Sequence, residues 1–554
     1  MLSSERSGLT ARFSVFILLA LPFLLLLINR NWPFQDFGDT DAFIYFGHFQ
    51  HFPRYQILRP TYAGERTAWI IPGYALVHLF GPVYGTLALH FAFYELAVLS
   101  LFWTVTRFAG TEAGFLCAAA LGIHPYFLSS NGTDYVMGGL IGYSLATFAL
   151  LVRAALKPSR WTLLFAGFLW AAVVFTYPLW LAFTPACALI YLAPIEKRRL
   201  KSLIAAAIPF AVGFALLGAG LFVFHRLVFG TASPGFFEIS LSTARYLNNL
   251  SDSLWAARNF SVTYADWLVF PGAAAGLSLL ILIPAIRRWL ALPPATAWLA
   301  AAYLWMAAVM VIMTLRPARY LEFDYFATFL IPGTFLVLGV SFFRIPHSSN
   351  KPLFWPLFWI VLAAAIALAI APLAKPGLYV KPPILGAVVP GLFLALAVSL
   401  RLLRPQSRAA IIPAAFAMAA SCYCLAPAVG GIAWRDPRDW MAAQARIAES
   451  VRIIETRLPR DQFPAFWYPQ SDPNGLEFHG IAWSFGSHMN SMPDFPAVNS
   501  AMKYSPGQIL ILVTAAPGAF EIASSQLPLS LLWKQQVASG SVHYWLTATQ
   551  VQAR

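Results

Sequence analysis

The sequence predicts an all-α polytopic membrane bundle followed by a small C-terminal α/β or α+β domain. Three observations carry this reading. The chain has 554 residues, of which 59% are hydrophobic and 11% charged; soluble domains carry about 25% charged residues. Its apolar runs divide into about thirteen segments long enough to cross a bilayer, joined by short basic turns. Beyond residue 432 the pattern changes to one amphipathic helix and several short alternating runs.

Taken in order, the expected spans begin with about 13–29, preceded by Arg6 and Arg12. No small-residue cleavage site follows this run, so it reads as a retained first span. A long polar segment, 31–82, comes next. Spans at about 83–106, 112–130 and 135–155 follow, the third interrupted by His124 and Pro125 and closed by the polar stretch Ser130 to Asp134. Trp161 to Pro194 then carries no charge at all. One helix of that length would reach about 50 Å at ~1.5 Å per residue, well beyond a hydrocarbon core of about 30 Å. Tyr177-Pro178 offers the break, giving spans at about 161–177 and 178–194. The remaining spans are about 203–227, 268–286, 292–314, 324–343, 353–372, 384–402 and 409–430.

Charge supports that parity. Arg107, Arg153 with Lys157 and Arg160, Lys197 to Lys201, Arg287 with Arg288, Arg344 with Lys351, and Arg401 to Arg408 all fall in short loops on one side. By the positive-inside rule this is the cytoplasmic side. The segment 31–82, Asp134, the 230–267 loop, the 316–324 loop and the C-terminal tail are then extracytoplasmic. The expected setting is a plasma (bacterial inner) membrane, with the N-terminus cytoplasmic. The formal net charge of +14 is explained by these basic turns, and no nucleic-acid partner is implied.

The expected division is a transmembrane part, 1–432, and a soluble extracytoplasmic part, 433–554. In the tail, Ala443, Ile447, Val451, Ile454 and Leu458 recur at helical spacing over 436–459. Strand-like runs follow at 462–468, 508–514, 529–533 and 542–549, between Pro- and Gly-rich turns. The tail reads either as a scaffold over the outer face or as an acceptor-binding lid. Cys117, Cys187, Cys422 and Cys424 all sit in apolar runs, so neither a disulfide framework nor a metal cluster is expected. A P-loop and a dinucleotide fingerprint are also lacking.

Chemistry concentrates in 31–82, which holds Asp36, Asp39, Asp41, His48, Arg54, Arg59, Glu65 and Arg66 among many aromatics. Ionisable groups kept at a bilayer surface point to function. Asp39 and Asp41, in GDTDAF, are the candidate general bases; on a helix they would point about 200° apart, so one of them does that work. The plain structural alternative for Asp39 is a helix cap. The aromatic run from Phe43 to Phe52 predicts a helix lying along the membrane plane. Asp134, before the fourth span, is the second acidic point, and its structural alternative is stabilisation by the exposed N–H groups of that span. Arg59, Arg66, Arg316 and Arg319 are candidate clamps for an anionic leaving group, or alternatively snorkelling contacts to lipid. His48 and Glu65 are candidate ligands of sugar hydroxyls, or satisfied polar groups of the loop.

This layout resembles the GT-C superfamily of membrane glycosyltransferases, and within it the protein-O-mannosyltransferase and aminoarabinose-transferase group. Asp39 and Asp41 in FGDTDAFIY correspond to the acidic loop motif, Asp134 in NGTD to a further aspartate, and Arg319-Tyr320 with Pro332 to an Arg-Tyr segment entering a proline-containing span. The resemblance covers roughly 13–343. Asp41 is followed by Ala42, so the Asp-Glu pair of the mannosyltransferases is absent, and Ile71-Pro72-Gly73-Tyr74 stands where those enzymes carry Pro-Leu-Tyr.

The resemblance implies a GT-C-like fold and a sugar donor on polyprenyl phosphate. It implies an aspartate that activates a glycan, lipid or protein acceptor, and transfer with inversion. Tyr320 joins the substrate-binding set on this ground. No cofactor is expected; a divalent metal held by Asp39 and Asp41 is an alternative that the residue pattern does not support. The competing readings are a transporter or flippase, which predicts charges near the midplane and two related halves, and a non-catalytic assembly protein.

Overall fold

The structure is a computed structural model. It describes residues 2–28, 31–34, 41–58, 62–195, 200–230, 235–242, 265–290, 292–313, 328–343, 440–457, 465–467, 475–485, 509–514, 529–537 and 542–549.

The membrane part is helical, and two of its breaks fall at His124-Pro125 and Tyr177-Pro178. Helices α1 (Leu2–Ile28), α2 (Asp41–His51), α3 (Arg54–Leu58), α4 (Thr67–Phe80), α5 (Pro82–Ala109), α6 (Thr111–Gly122), α7 (Pro125–Asn131) and α8 (Met137–Leu156) come first. They are followed by α9 (Arg160–Thr176), α10 (Thr184–Leu192), α11 (Leu200–Phe229), α12 (Ala265–Leu282), α13 (Pro284–Trp289), α14 (Pro294–Met313) and α15 (Ile331–Phe343). Ser159 caps α9, its Oγ accepting from Thr162 N–H at 3.2 Å. That helix ends at Thr176, and Pro178–Phe183 forms a 3-10 turn before α10. His124-Pro125 likewise separates α6 from α7.

Among the described residues, four helices are long and apolar enough to cross a membrane: Pro82–Ala109, Met137–Leu156, Ser202–Phe229 and Pro294–Met313. The chain is therefore a multi-pass membrane protein. Thirteen full spans are not found among the described residues. The expected third span is two helices, and α6, with 12 residues, reaches only about 18 Å. The expected second half of 161–194 is a 3-10 turn and a 9-residue helix. Within 31–82, a 14-residue apolar helix, α4, occupies what reads as loop. The expected spans at about 353–372, 384–402 and 409–430 lie outside the described residues.

Two compact units divide the chain, and neither follows chain order. The first is Met1–Gln35, His90–Phe224 and Phe237–Asp436. In it α8 packs along α9 and α10, α14 against α10, α12 and α15, and α1 against α6. Small residues permit the closest approaches. A Cβ on Gly167 would meet Phe210 O at 1.9 Å, and one on Gly213 would meet Leu164 O at 1.9 Å, so α9 and α11 cross backbone to backbone. Polar groups are bonded across helices, as apolar surroundings demand: Tyr303 Oη donates to Pro271 O (2.8 Å), Thr334 Oγ1 to Tyr303 Oη (3.1 Å), and Trp170 Nε1 to Thr184 Oγ1 (3.0 Å).

The second unit is Asp36–Leu89, His225–Phe236 and Pro437–Arg554. Its tail has α16 (Trp440–Arg457), β1 (Ala465–Trp467), α17 (Gly475–Ser484), β2 (Ile509–Thr514), β3 (Leu529–Val537) and β4 (Val542–Thr549). The sheet order is β1-β2-β4-β3, with β1 parallel to β2 and the other pairs antiparallel. Helix α16 buries Ala443, Ile447, Val451 and Ile454, the stripe that its spacing predicts. Strand β3 runs four residues past the apolar run that announces it, through a register shift between Leu531 and Trp533, because β4 continues to pair with it.

Phe43, Phe46 and Tyr55 share one core with Ile447, Val451, Ile454, Phe466, Phe478, Ile481 and Ile511. Burying one such side chain is worth about 2 kcal/mol, more than the ~0–1 kcal/mol of a typical exposed ion pair. Apolar burial thus holds the segment after residue 36 and the tail as one body. Arg446 ties α16 to α17 by donating to both carboxylate oxygens of Glu477.

Helix α2 lies between α4 and α17. A Cβ on Gly47 would stand 1.8 Å from Ser484 O, backbone that cannot yield as a side-chain tip does. Gly47→Ala should therefore destabilise this unit by about 1–3 kcal/mol in thermal unfolding of the purified protein. Gly220→Ala on α11, where no described atom lies within 4 Å, should be neutral or stabilising by up to about 1 kcal/mol.

Candidate active site

The site begins with the start of α2. Asp41 is its first residue, where unpaired backbone N–H groups and the helix dipole favour a carboxylate. Four residues on, Tyr45 lies on the same face of the helix and is fully buried. The chain returns through a turn at 62–66. That turn is closed by Arg66 N–H to Ala63 O (3.2 Å) and Thr67 N–H to Glu65 O (2.8 Å), and it leads directly into α4.

The turn delivers three side chains. Tyr62 Oη donates to Asp41 Oδ2 at 3.0 Å. Arg66 Nη1 donates to Tyr45 Oη at 2.7 Å. The Arg66 guanidinium also lies 5.0 Å from the Tyr62 ring centroid and 5.8 Å from that of Tyr45, within cation–π range. Arg66 is only 7% exposed. One buried cation is therefore held by two phenols, and one of those phenols also holds the half-buried Asp41.

Glu65, 2% exposed, turns to another partner. His225 Nε2, near the end of α11, lies 2.9 Å from Glu65 Oε1. The His225 ring makes an edge contact with Phe229 (5.0 Å between centroids), which in turn meets Phe52 (5.5 Å). Glu65 and Arg66 are adjacent in sequence, yet each is committed to a different group.

His48 is buried on α2 between Phe52 and Tyr55, at 6.2 and 6.4 Å between ring centroids. Its Nδ1 is buried without a hydrogen-bond partner. Burial pushes this imidazole down from its ordinary value to about 3, so it is neutral at physiological pH. The structure does not join it to Asp41 or Arg66.

Asp134 belongs to the other unit and has its own surroundings. Val136, not Asp134, caps α8, and it makes no side-chain cap bond. Asp134 Oδ1 instead lies 3.3 Å from His90 Nε2. His90 Nδ1 is 2.6 Å from Pro33 O, and Asn131 Nδ2 donates to His90 O at 2.8 Å. A carbonyl only accepts, so Nδ1 carries the hydrogen and Nε2 faces the carboxylate. Asp39, Arg59, Arg316, Arg319 and Tyr320 lie outside the described residues. Among the described residues, no group of three or more His, Cys, Asp and Glu side chains is placed to hold a metal ion.

Sequence reading passes over Tyr62 and His225 as site residues. Tyr45 carries a signal, one helical turn from Asp41. A histidine closing the long apolar run 203–227 carries another, because an ionisable group there needs a partner. Tyr62 carries none.

No described protein family and no curated protein matches the chain by sequence. Solved structures do match by shape. The chain is similar to ArnT from Cupriavidus metallidurans bound to undecaprenyl phosphate, with 12% identity, 95% of this chain and 97% of that one covered, and a TM-score of 0.50. The same protein in the apo state gives 12% identity, 96% and 97% coverage, and 0.46. The apo oligosaccharyltransferase of Archaeoglobus fulgidus gives 15% identity, 87% and 64% coverage, and 0.41. At 12% identity, the first likeness shows a shared fold and the fold alone.

Two expected outcomes follow from this geometry. Glu65→Ala leaves His225 facing an apolar gap and should cost about 3 kcal/mol of unfolding free energy; adding His225→Phe should recover part of it. Stability should also respond to acid through His48. Below pH ~6.5 the unfolded chain binds a proton that the folded one refuses until about 3. Unfolding should become easier by about 1.4 kcal/mol per pH unit as pH falls through that window, with no such dependence above it. His48→Phe should remove the slope in unfolding curves measured across pH.

Proposed function

We propose that this chain transfers a sugar from a polyprenyl-phosphate donor to an acceptor hydroxyl at the outer face of the membrane, by direct displacement with inversion. One observation carries the reading: a carboxylate and a buried guanidinium bound to a shared phenol, Asp41–Tyr62–Arg66. The reaction needs both charges. The acceptor hydroxyl must lose its proton as its oxygen bonds to the anomeric carbon. The phosphate must accept the electron pair of the breaking carbon–oxygen bond. Asp41 takes the proton. Arg66 stabilises the departing phosphate.

Tyr62 orients Asp41 and spaces it from Arg66, so that the base is not consumed by an ion pair with the clamp. Asp39 is the alternative base. Arg59, Arg316, Arg319 and Tyr320 are assigned to the donor phosphate as further contacts. Glu65 and His48 are kept as substrate-binding candidates, and Asp134 as a second acidic group. The GT-C fold supports this class of reaction. The proposed setting is a multi-span bundle in a bacterial inner membrane, with the N-terminus cytoplasmic and the tail outside. The acceptor is a glycan, lipid or protein hydroxyl, and no metal enters the proposed steps.

Purified protein incubated with a panel of polyprenyl-phosphate sugars should release sugar from at least one donor. Asp41→Asn should stay folded and lose about 10²- to 10⁴-fold in turnover, the usual worth of a positioned base. Asp39→Asn should show a graded loss. Solute transport without turnover of any donor would replace this reading with that of a transporter.

A further inference from the structure

The tail contributes one carboxylate to the helices that carry the site. Glu455, on the last turns of α16, meets three side chains at the junction of α2 and α3. His51 Nδ1 lies 3.0 Å from Glu455 Oε2, Arg54 Nη1 donates to Oε1, and the buried Tyr55 acts electrostatically on the same carboxylate. Burial works to raise the Glu455 carboxyl, but the His51 bond and charge, Arg54 and Tyr55 together hold it below its ordinary value. It is therefore an anion, with directed bonds on both oxygens.

The core that α2 and α3 share with the tail is apolar, and apolar burial has no direction. Such a core tolerates small rotations of one helix on another, whereas a carboxylate held on one oxygen by His51 and on the other by Arg54 does not. The clamp sits at one end of α2, and Asp41 sits at the other, about 15 Å away along the helix. A tilt of about 4° at the clamp would carry Asp41 through about 1 Å, and a misplacement of that size can lower a rate about a hundredfold. On its other side, α3 leads into the turn that carries Tyr62, Glu65 and Arg66.

We propose that Glu455 is a positioning residue, through which the C-terminal tail sets α2 and α3 so that Asp41 and Arg66 face one substrate. The tail is then a working part of the site, neither a cover nor a lid. This inference rests on the transfer reading above.

The test uses the full chain in lipid nanodiscs, with variants E455A, E455D, R54A and E455A/R54A. Hydrogen exchange over 41–66 is measured beside turnover of the polyprenyl-phosphate donor. E455A should speed exchange across 41–66 and leave α8 and α14 unchanged. It should lower kcat by roughly tenfold to a hundredfold, with donor KM changed by less than about twofold. E455D should recover much of the loss, and E455A/R54A should be no worse than the poorer single variant. Unchanged exchange over 41–66 in E455A, or losses that multiply in the double variant, would overturn the proposal. If E455A is not recovered folded, R54A removes the same bond from the other side and is read by the same two criteria. A wild-type protein that cleaves no donor refutes the transfer reading, and the exchange measurements then decide the clamp by themselves.

Discussion

A guanidinium buried to 7% exposure constrains everything around it. A charge removed from water must be compensated locally or the fold does not hold it. Arg66 is compensated by the Tyr45 hydroxyl and two aromatic faces. Neither phenol brings a full negative charge. The neighbouring carboxylates carry bonds of their own. Glu65 turns to His225 and Asp41 to Tyr62. Adjacent residues of opposite charge thus send bonds to separate third groups.

That separation needs a rigid frame, and the frame comes from distant parts of the chain. Helix α2 is buried over most of its length: Ala42, Phe43, Tyr45, Phe46, Gly47, His48 and Phe49 are all enclosed. An isolated helix of 11 residues with that surface would not persist in water. It persists because α4 and α17 enclose it and because α16, α17 and β2 complete its core. The polar groups at the rim add direction to a structure whose stability comes from the apolar interior.

The two acidic points differ in kind. Asp41 is half-buried at a helix start and accepts from a tyrosine. Asp134 is enclosed with His90, whose other nitrogen is bound to the Pro33 carbonyl. The same residue type is thus half-buried at a helix start in one case and enclosed beside a histidine in the other. Composition does not distinguish them; the neighbours do.

Several features were legible from the residues alone because local physics dictates them. The break at Tyr177-Pro178 and the one at His124-Pro125 follow from a missing N–H and a steric clash. The stripe on α16 and the runs that become β1 to β4 follow from periodicity. The membrane class follows from composition, and the acidic segment of 31–82 from its crowding of ionisable groups. Other features depend on contacts between residues far apart in the sequence. The pairing of Glu65 with His225, 160 residues away, and of Arg54 with Glu455, 401 residues away, has no local signature. The helix α17 and the union of 36–89 with the tail in one core likewise have none. The sequence by itself determined two proline breaks, which stretches are apolar, and that charges gather after the first span. Only the tertiary structure decided which charges meet, because partnership depends on where the chain returns, and burial makes each such choice worth several kcal/mol.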